Sequence, residues 1–255
     1  MKVATWNVNS LRVRLPHLLD WLAANSPDIV CLQETKCEDA TFPAAELAAA
    51  GYLSVHHGQR TYNGVAILSR KAGASVRRGI PEFIDEQSRV IANDVEGVLI
   101  VSVYVPNGQS VGSDKYAYKL RWLDALATWL EAELVAHPKL AVTGDFNVAP
   151  EERDVHDPAA WAGQVLFSEP ERAALQRLFA LGFVDAFRLF DQPEKSFSWW
   201  DYRMGAFRRN MGLRIDHVLL SPQLARACKS CSIDVAPRKL ERPSDHAPVV
   251  CELAL

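Results

Sequence analysis

The sequence predicts an α/β layered sandwich whose sheets are covered by helices, and three observations support this fold class. Short apolar runs typical of strands recur along all 255 residues. Two longer segments between them carry apolar residues at helical spacing. No Pro/Gly/Ser-rich linker, charge block or low-complexity segment divides the chain, so we expect one domain over residues 1–255. Strands and helices that alternate in this way form layers around a shared core.

The strand predictions depend on short runs typical of strands. The run at 3–7 alternates small and large residues, and the run at 29–32 is fully apolar, which suits a strand covered on both faces. The runs lie at 3–7, 29–32, 64–69, 98–105, 140–143, 215–220 and 247–253. Several runs stop at polar residues, as at 33–35 and 144–147. Because loops at strand ends can present polar groups without burying them, we expect a cleft there.

Two helices are predicted. The first, 12–24, carries leucines at helical spacing and ends before a breaker cluster at 25–27. The second, 115–136, has an apolar stripe formed by Tyr118, Trp122, Leu126, Trp129 and Leu130. We interpret these aromatic residues as core packing and not as a ligand site.

Composition places the chain among globular proteins, since 49% of its residues are hydrophobic and 23% are charged. No apolar run approaches the roughly 20 residues of a membrane helix, and the start turns polar too soon for a signal peptide. We therefore expect a cytoplasmic protein with no membrane partner. The net charge of −3 disfavours a protein that simply coats DNA, but it is compatible with a local basic face.

The five cysteines are interpreted as reduced, packed thiols, because Cys31 and Cys251 lie in apolar strand-like runs. Cys228 and Cys231 form a C-x-x-C pair. A zinc site would need a second ligand pair nearby, and a redox site would need a thioredoxin-like βαβ context. Neither is present in the sequence, so we assign no function to this pair.

Candidates for chemistry lie at the strand ends. Phosphodiester cleavage needs oxygen ligands for a hard cation, a group that acts on water, and donors for the phosphate. Glu34 and Asn7 each follow a strand, and Asp145 and Asn147 are two residues apart, on one face of an extended chain. Taken singly, each has a simpler interpretation: a solvated glutamate, a turn-capping asparagine or an Asx turn.

Two further residues, combined with those above, favour the catalytic interpretation over the simpler ones. Asp216 lies in an otherwise apolar strand, and a carboxylate that points inward there needs a partner because unpaired buried charge is costly. His246 lies in the loop 244–248. A histidine held by a buried carboxylate keeps a fixed tautomer or a raised pKa and can act on a phosphate.

Seven segments together resemble the exonuclease III-type abasic-site endonucleases, within the larger endonuclease/exonuclease/phosphatase superfamily. In chain order they are 5–12, 28–36, 104–108, 144–150, 198–203, 212–217 and 244–248. They span nearly the whole chain, and the set is specific even where each piece is weak. The resemblance implies a four-layer αββα sandwich of two packed mixed sheets flanked by helices, with the site at one end of the sheets.

The resemblance also implies the activity. We expect a monomeric DNA repair nuclease that hydrolyses phosphodiesters of double-stranded DNA at abasic sites or blocked 3′ ends, using Mg²⁺ or Mn²⁺. By matching position, Glu34 is the principal metal ligand, with Asn7 and Asp245 close to the cation. The same matching makes Tyr104 and Asn107 phosphate-side groups.

The remaining catalytic roles are assigned by the same resemblance. Asp145 orients or deprotonates the attacking water, and Asn147 helps to position it. His246 bonds a non-bridging phosphate oxygen and is oriented by Asp216. Whether Asp145 or a Tyr104 phenolate is the base stays open, although a tyrosine with its usual pKa of about 10 would need a large shift.

Substrate residues follow from the resemblance as well. Trp199, Leu213 and Ile215 match a pocket for a base-less sugar, which is apolar and excludes a normal nucleotide by size. Leu166 departs from the family, because abasic endonucleases usually carry a small residue beside this pocket. We hypothesise that Leu166 favours work at 3′ ends over internal incision. The candidates for phosphate-backbone contacts are Lys115, Lys119, Arg121, Arg203, Arg208, Arg209 and Arg214.

Two other functions are compatible with parts of the sequence. Another phosphoesterase of the superfamily, such as a nonspecific nuclease or an inositol or lipid phosphatase, would share the acidic and histidine core, but segments 199–203 and 212–215 favour the DNA-repair branch. A non-catalytic nucleic-acid-binding descendant would have lost core residues that this chain keeps. The sequence does not rank abasic incision, 3′-phosphodiesterase and exonuclease activity.

Overall fold

The computed structural model describes residues 1–255 and contains twelve strands and six α-helices. The strands are β1 (Lys2–Asn7), β2 (Ile29–Gln33), β3 (Leu53–His57), β4 (Val65–Ser69), β5 (Val76–Arg78), β6 (Val90–Val95), β7 (Val98–Tyr104), β8 (Leu140–Asp145), β9 (Val184–Asp185), β10 (Asp216–Leu220), β11 (Cys228–Ile233) and β12 (Val249–Leu253). The helices are α1 (Leu11–Asn25), α2 (Ala44–Ala49), α3 (Asp114–Ala136), α4 (Pro158–Trp161), α5 (Glu169–Ala180) and α6 (Pro222–Ala227).

The strands form two mixed sheets of six strands each. The first has the order β11-β12-β1-β2-β4-β3, and the second has the order β5-β6-β7-β8-β10-β9. The pairs β1/β2 and β7/β8 are parallel, and the other neighbours are antiparallel. The central strands of both sheets therefore run in parallel pairs and end on the same side.

Side-chain alternation along the central strands builds three apolar layers. In the first sheet, Val3 and Cys31 pack in the cluster shared with the second sheet, whereas Trp6 packs with α1 on the outer face. In the second sheet, Val101 packs with Trp122 of α3 on the opposite outer face. This arrangement confirms the predicted four-layer αββα sandwich, and burial of both faces explains why the central strands are mostly apolar.

The layer between the sheets becomes polar towards one end. Thr5 Oγ1 donates to Gln33 Oε1 over 3.2 Å, and Gln33 Nε2 donates to Ser102 Oγ of the facing sheet over 3.1 Å. All three side chains are fully buried, so these bonds satisfy groups that would otherwise be costly to bury. This end of the interface leads directly to the polar strand ends.

The predicted helices at 12–24 and 115–136 agree with α1 and α3 to within one residue at each end. Each of the seven predicted strands has a counterpart. The sequence pattern did not predict β3, β5, β6, β9 and β11. Of these, β3, β5, β9 and β11 lie at sheet edges, where half-exposed strands lose the continuous apolar pattern. None of the helices has the length and apolar character that crossing a membrane requires.

Candidate active site

Strand register brings three predicted residues together at one end of the second sheet. Asp145 at the end of β8 lies opposite Tyr104 of β7 on one side and opposite Asp216 of β10 on the other. In the first sheet, Asn7 at the end of β1 lies opposite Gln33 of β2, so Glu34 follows directly. The carboxyl ends of β1, β2, β7 and β8 thus converge on one region, together with the start of β10.

Gly144 makes this convergence sterically feasible. Its φ is +151°, and a Cβ added there would lie 1.9 Å from the carbonyl oxygen of Val103 in β7. No side chain fits at such a distance, so only glycine lets β8 approach β7 closely just before Asp145.

Asn7 links the carboxylates of the two sheets. Its Nδ2 donates to Glu34 Oε1 and to Asp145 Oδ2, both over 2.9 Å. Asp145 Oδ1 also accepts the backbone N–H of Asn147 over 2.9 Å, which is an Asx turn. The sequence left open whether this segment forms only an Asx turn. The turn does form, and it belongs to the site because it fixes the Asp145 carboxylate.

His246 contacts two carboxylates. Its Nδ1 lies 2.9 Å from Asp216 Oδ2, and its Nε2 lies 3.7 Å from Asp145 Oδ2. All three residues are at most 3% exposed. Ser198 Oγ accepts the backbone N–H of Asp216 over 3.0 Å, which fixes the start of β10. The buried carboxylate of Asp216 thus has the partner that its position in an apolar strand required.

These contacts determine the protonation of the ring. Burial by itself lowers the pKa of His246, but the carboxylates of Asp216 and Asp145 outweigh it and raise that pKa to about 10. At neutral pH the ring is therefore a cation that can donate from Nε2. Burial raises the pKa of the Asp145 carboxyl, the cationic ring of His246 opposes this rise, and Asp216 adds to it.

Tyr104 is poorly suited to act as a phenolate. Burial and then the neighbouring charges of Glu34 and Asp145 raise its pKa well above the usual value. The neutral hydroxyl is the stable form, so Tyr104 can donate a hydrogen bond but holds its proton tightly. This electrostatic setting favours Asp145 over Tyr104 as the proton acceptor.

A divalent cation fits one part of this cluster. Ligand atoms of Glu34, Asp145 and His246 all lie within 4.8 Å of one another. The carboxylates of Glu34 and Asp145 are oxygen donors of the kind that hard cations prefer. Asn7 presents its Nδ2 to both carboxylates, and its Oδ1 accepts the backbone N–H of Asn9. Because His246 is protonated, it is a poor ligand, and the oxygen donors are the ones that fit the metal.

Asp245 lies outside this group. Its Oδ1 accepts from Asn9 Nδ2 over 2.9 Å and its Oδ2 accepts from Trp199 Nε1 over 3.0 Å. Lys36 Nζ donates to Asn9 Oδ1 over 2.6 Å and lies 2.8 Å from Glu34 Oε2. The carboxylates of Asp245 and Glu34, both predicted to lie near the metal, are therefore connected through Asn9 and Lys36. Lys36 lies two residues after Glu34, and the sequence pattern did not identify it as a site residue.

The phosphate-side residues line a groove. Asn107 is exposed and donates from Nδ2 to Asn147 Oδ1 over 3.2 Å. Beside it a cleft of about 920 Å³ extends past Tyr104, Tyr62 and Lys115. Asn107 therefore lies at the boundary between the buried catalytic groups and an open channel.

The predicted sugar-pocket residues form a closed apolar cluster. Leu213 and Ile215 are 0% and 1% exposed, and Leu166 packs in the same cluster at 5% exposure. Trp199 is partly buried against it and forms backbone bridges to Leu213 and to His246. Leu166 thus occupies the apolar space beside the catalytic groups, and it does so at φ +77°.

The structure corrects two of the candidate phosphate contacts. Lys119 and Arg214 are 0% and 1% exposed, so neither reaches DNA. Arg214 pairs with Asp154 and Asp185. The other candidates are exposed, although Arg203 pairs with Asp201 over 2.6 Å: Lys115, Arg121, Arg203, Arg208 and Arg209. Sequence does not distinguish these groups, because the pairing partners of the buried cations lie distant in the chain.

Known proteins that are similar to this chain in sequence and in structure belong to one family. Residues 4–246 match the model of the Endonuclease/Exonuclease/phosphatase family. The chain is 37% identical to the exodeoxyribonuclease III of Haemophilus influenzae, over 99% of each chain. Among solved structures, the 3′ phosphatase NExo from Neisseria, bound to a product DNA hairpin, has a TM-score of 0.98 and 46% identity over the full length of both chains. An AP endonuclease from Archaeoglobus fulgidus has a TM-score of 0.96 and 40% identity, also over both full lengths.

Proposed function

Because the chain belongs to the Endonuclease/Exonuclease/phosphatase family and is a DNA repair nuclease of the exodeoxyribonuclease III type, we propose that it acts mainly on blocked 3′ ends of double-stranded DNA. Incision at internal abasic sites is the secondary activity in this proposal. The observation that carries the preference is the position of Leu166.

Leu166 supports this preference by its volume. An internal abasic sugar must leave the duplex and enter an apolar pocket beside the catalytic groups. Leu166, Leu213 and Ile215 already fill that space together. A sugar at a frayed 3′ end has one free side and need not enter as deeply, so it remains a substrate. The 3′ phosphatase activity of the Neisseria relative agrees with this assignment.

We propose that Glu34 and Asn7 hold the metal, with Asp245 completing the ligand set, and that the metal is Mg²⁺, with Mn²⁺ as a substitute. When bound, a divalent cation neutralises phosphate charge and lowers the pKa of a coordinated water. The donor set supports this choice, since carboxylate and amide oxygens suit both ions. Charge balance supports it as well, because the carboxylate of Glu34, whose side chain is 18% exposed, lies close to the buried carboxylate of Asp145.

The residues around the phosphate divide the remaining work. Asp145 accepts the proton of the attacking water, and Asn147 orients that water. His246, held by Asp216, donates a hydrogen bond from Nε2 to a non-bridging oxygen and so stabilises its growing charge. Tyr104 and Asn107 donate to the phosphate from the groove side.

DNA binding outside the scissile group uses the exposed surface. The groove beside Asn107 carries one strand, and exposed cations such as Arg203 contact backbone phosphates. Every residue of the site comes from one chain, so we propose that residues 1–255 work as a single-domain monomer.

One assay tests this function. Duplexes that carry an internal abasic site, a 3′-phosphate or a plain recessed end are incubated with Mg²⁺, with Mn²⁺ or with EDTA. We expect the 3′-phosphate to be removed fastest, and no reaction in EDTA. Faster incision at the internal abasic site would overturn the preference, and equal cleavage in EDTA would overturn the metal dependence.

A further inference from the structure

A buried ion pair contacts the backbone of the segments that carry Asn107 and Asn147. Lys119 of α3 and Glu171 of the first turn of α5 contact each other, and both side chains are 0% exposed. Burying two charges is costly, and apolar residues of similar size are often at least as stabilising as a buried pair. Stability alone therefore does not account for this pair, and its remaining contacts suggest a second role.

The ammonium group of Lys119 holds two loops of the site. Besides Glu171, its Nζ donates to the backbone carbonyl of Asn147 over 2.6 Å and to that of Asn107 over 3.1 Å. All three N–H groups thus have acceptors. Asn147 adopts φ +49°, a left-handed conformation that asparagine tolerates better than most residues, and this hydrogen bond helps to hold it.

The carboxylate of Glu171 holds the loop that carries Leu166. Its Oε1 accepts the backbone N–H of Leu166 over 3.0 Å, and its Oε2 accepts the backbone N–H of Ser168 over 3.1 Å. The Ser168 hydroxyl donates to the same Oε2. Leu166 is also at positive φ, an uncommon conformation for a leucine, so the carboxylate stabilises a strained backbone position.

The stem of Lys119 fixes the Asn107 loop from below. Gly108 has φ +93°, and a Cβ there would lie 3.1 Å from Lys119 Cδ. The backbone of this loop therefore packs closely on the lysine side chain. A single residue contacts both the Asn107 and Asn147 segments, through its stem and two of its three donors.

We propose that Lys119 and Glu171 form a positioning pair that sets the catalytic asparagines and the Leu166 loop in one fixed arrangement. Lys119 aligns the segments of Asn147 and Asn107, which face each other across a hydrogen bond, and Glu171 connects that alignment to the apolar cluster of Leu166. Both side chains of the pair are fully buried, and the pair acts through the backbone of the residues that line the site. This inference rests on the roles proposed above for Asn107 and Asn147.

The test compares Lys119→Met/Glu171→Gln with the wild type. The double variant removes both charges, so no unpaired charge stays buried. Loss of alignment at an active site can cost up to about 100-fold in rate. We expect kcat on the 3′-phosphate duplex to fall by about 10- to 100-fold, with KM changed by less than about threefold. Lys119→Arg keeps N–H donors at this position and should recover most of the lost kcat.

The matched control is Arg77→Met/Glu133→Gln. This pair also anchors on α3, at the opposite end of the helix, and it lies outside the site. We expect kcat to be unchanged in the control even if its melting temperature falls. An unchanged kcat in the Lys119/Glu171 double variant would overturn the proposal, as would an equal loss in the control.

Folding and function are separated by two further measurements. Circular dichroism and thermal melting establish that each variant is folded at the assay temperature. If the double variant is unfolded, Glu171→Gln alone decides: a folded protein with lowered kcat supports the pair, and one with wild-type kcat overturns it. Failure of the proposed function would instead appear in the wild type, as a preference for the internal abasic duplex.

Discussion

Asp245 and His246 are neighbours in sequence, but their side chains lie in different parts of the site. Asp245 accepts from Asn9 and Trp199, on the side that connects through Lys36 to Glu34. His246 lies against Asp216 and Asp145. Removing either side chain should therefore impair a different function, metal binding in one case and stabilisation of phosphate charge in the other.

This division predicts different responses to metal. In Asp245→Ala, we expect the low activity at standard Mg²⁺ to recover in part at high Mg²⁺, because Glu34 and Asn7 remain to bind the cation. In His246→Ala, the phosphate loses its cationic donor, and added Mg²⁺ should restore nothing. Titrating kcat/KM against Mg²⁺ for both variants checks this, and parallel curves would contradict the division.

Asp216 is expected to set the pH range of activity. The carboxylates of Asp216 and Asp145 raise the pKa of His246 to about 10, so the ring keeps its proton through neutral pH. Asp216→Asn removes the larger of these charges and lowers that pKa, so the ring loses its proton at lower pH. The charge of Asp216 also raises the pKa of Asp145. Both limbs of the kcat profile should therefore move to lower pH.

The measurement is kcat on saturating 3′-phosphate duplex from pH 5 to 10.5. Asp191→Asn, at an exposed position outside the site, is the control and should leave the profile in place. A profile that keeps its position in Asp216→Asn would show that Asp216 does not control the ionisation of His246.

The loop before α5 is the element that determines lesion choice in our proposal. Leu166 packs against Leu213 and Ile215, and its positive φ is a conformation that glycine adopts without strain. Leu166→Gly therefore empties the apolar space and keeps the loop conformation. We expect incision at an internal abasic analogue to rise by roughly tenfold or more, a typical effect of a few methylenes in a pocket.

Removal of the 3′-phosphate should change much less in Leu166→Gly. The matched control is Leu240→Gly, the same substitution at an exposed leucine, which should leave the ratio of the two activities unchanged. If Leu166→Gly leaves internal incision at the wild-type rate, the loop does not select the substrate.

At the scale of the whole molecule, the proposed metal ligand Glu34 and the proposed proton acceptor Asp145 come from different sheets. Glu34 follows β2 of the first sheet and Asp145 ends β8 of the second, and Asn7 Nδ2 donates to both carboxylates. Binding of a cation to the native state alone should stabilise the fold, by about 2.7 kcal/mol when Mg²⁺ is 100 times its Kd. We therefore expect the melting temperature to rise with Mg²⁺.

Glu34→Gln should remove most of this stabilisation, because the principal charged ligand is lost. Glu38→Gln changes an exposed glutamate four residues further along and should melt like the wild type at each Mg²⁺ concentration. Differential scanning calorimetry without DNA makes the comparison independent of activity. Equal Mg²⁺ responses in wild type and Glu34→Gln would exclude Glu34 as the main ligand.

The sequence by itself determined the layers and most of the site. Apolar runs of strand length predicted the central strands, and polar residues at their ends placed Asn7, Glu34 and Asp145 correctly at one edge. These predictions succeed because strand burial and strand-end polarity are local patterns. The family resemblance then grouped segments that local patterns alone leave separate.

Only the tertiary structure decided which polar groups are buried together. Lys119 and Arg214 have the same side chains as surface cations, but their partners Glu171, Asp154 and Asp185 lie distant in the chain, so sequence placed them wrongly on the DNA surface. The closed packing of Leu166 and the bridge from Asn7 to Asp145 also depend on contacts between sheets and loops. Burial and charge pairing are properties of the folded arrangement, and for that reason they determine the ionisation of His246 and the positions of the catalytic asparagines.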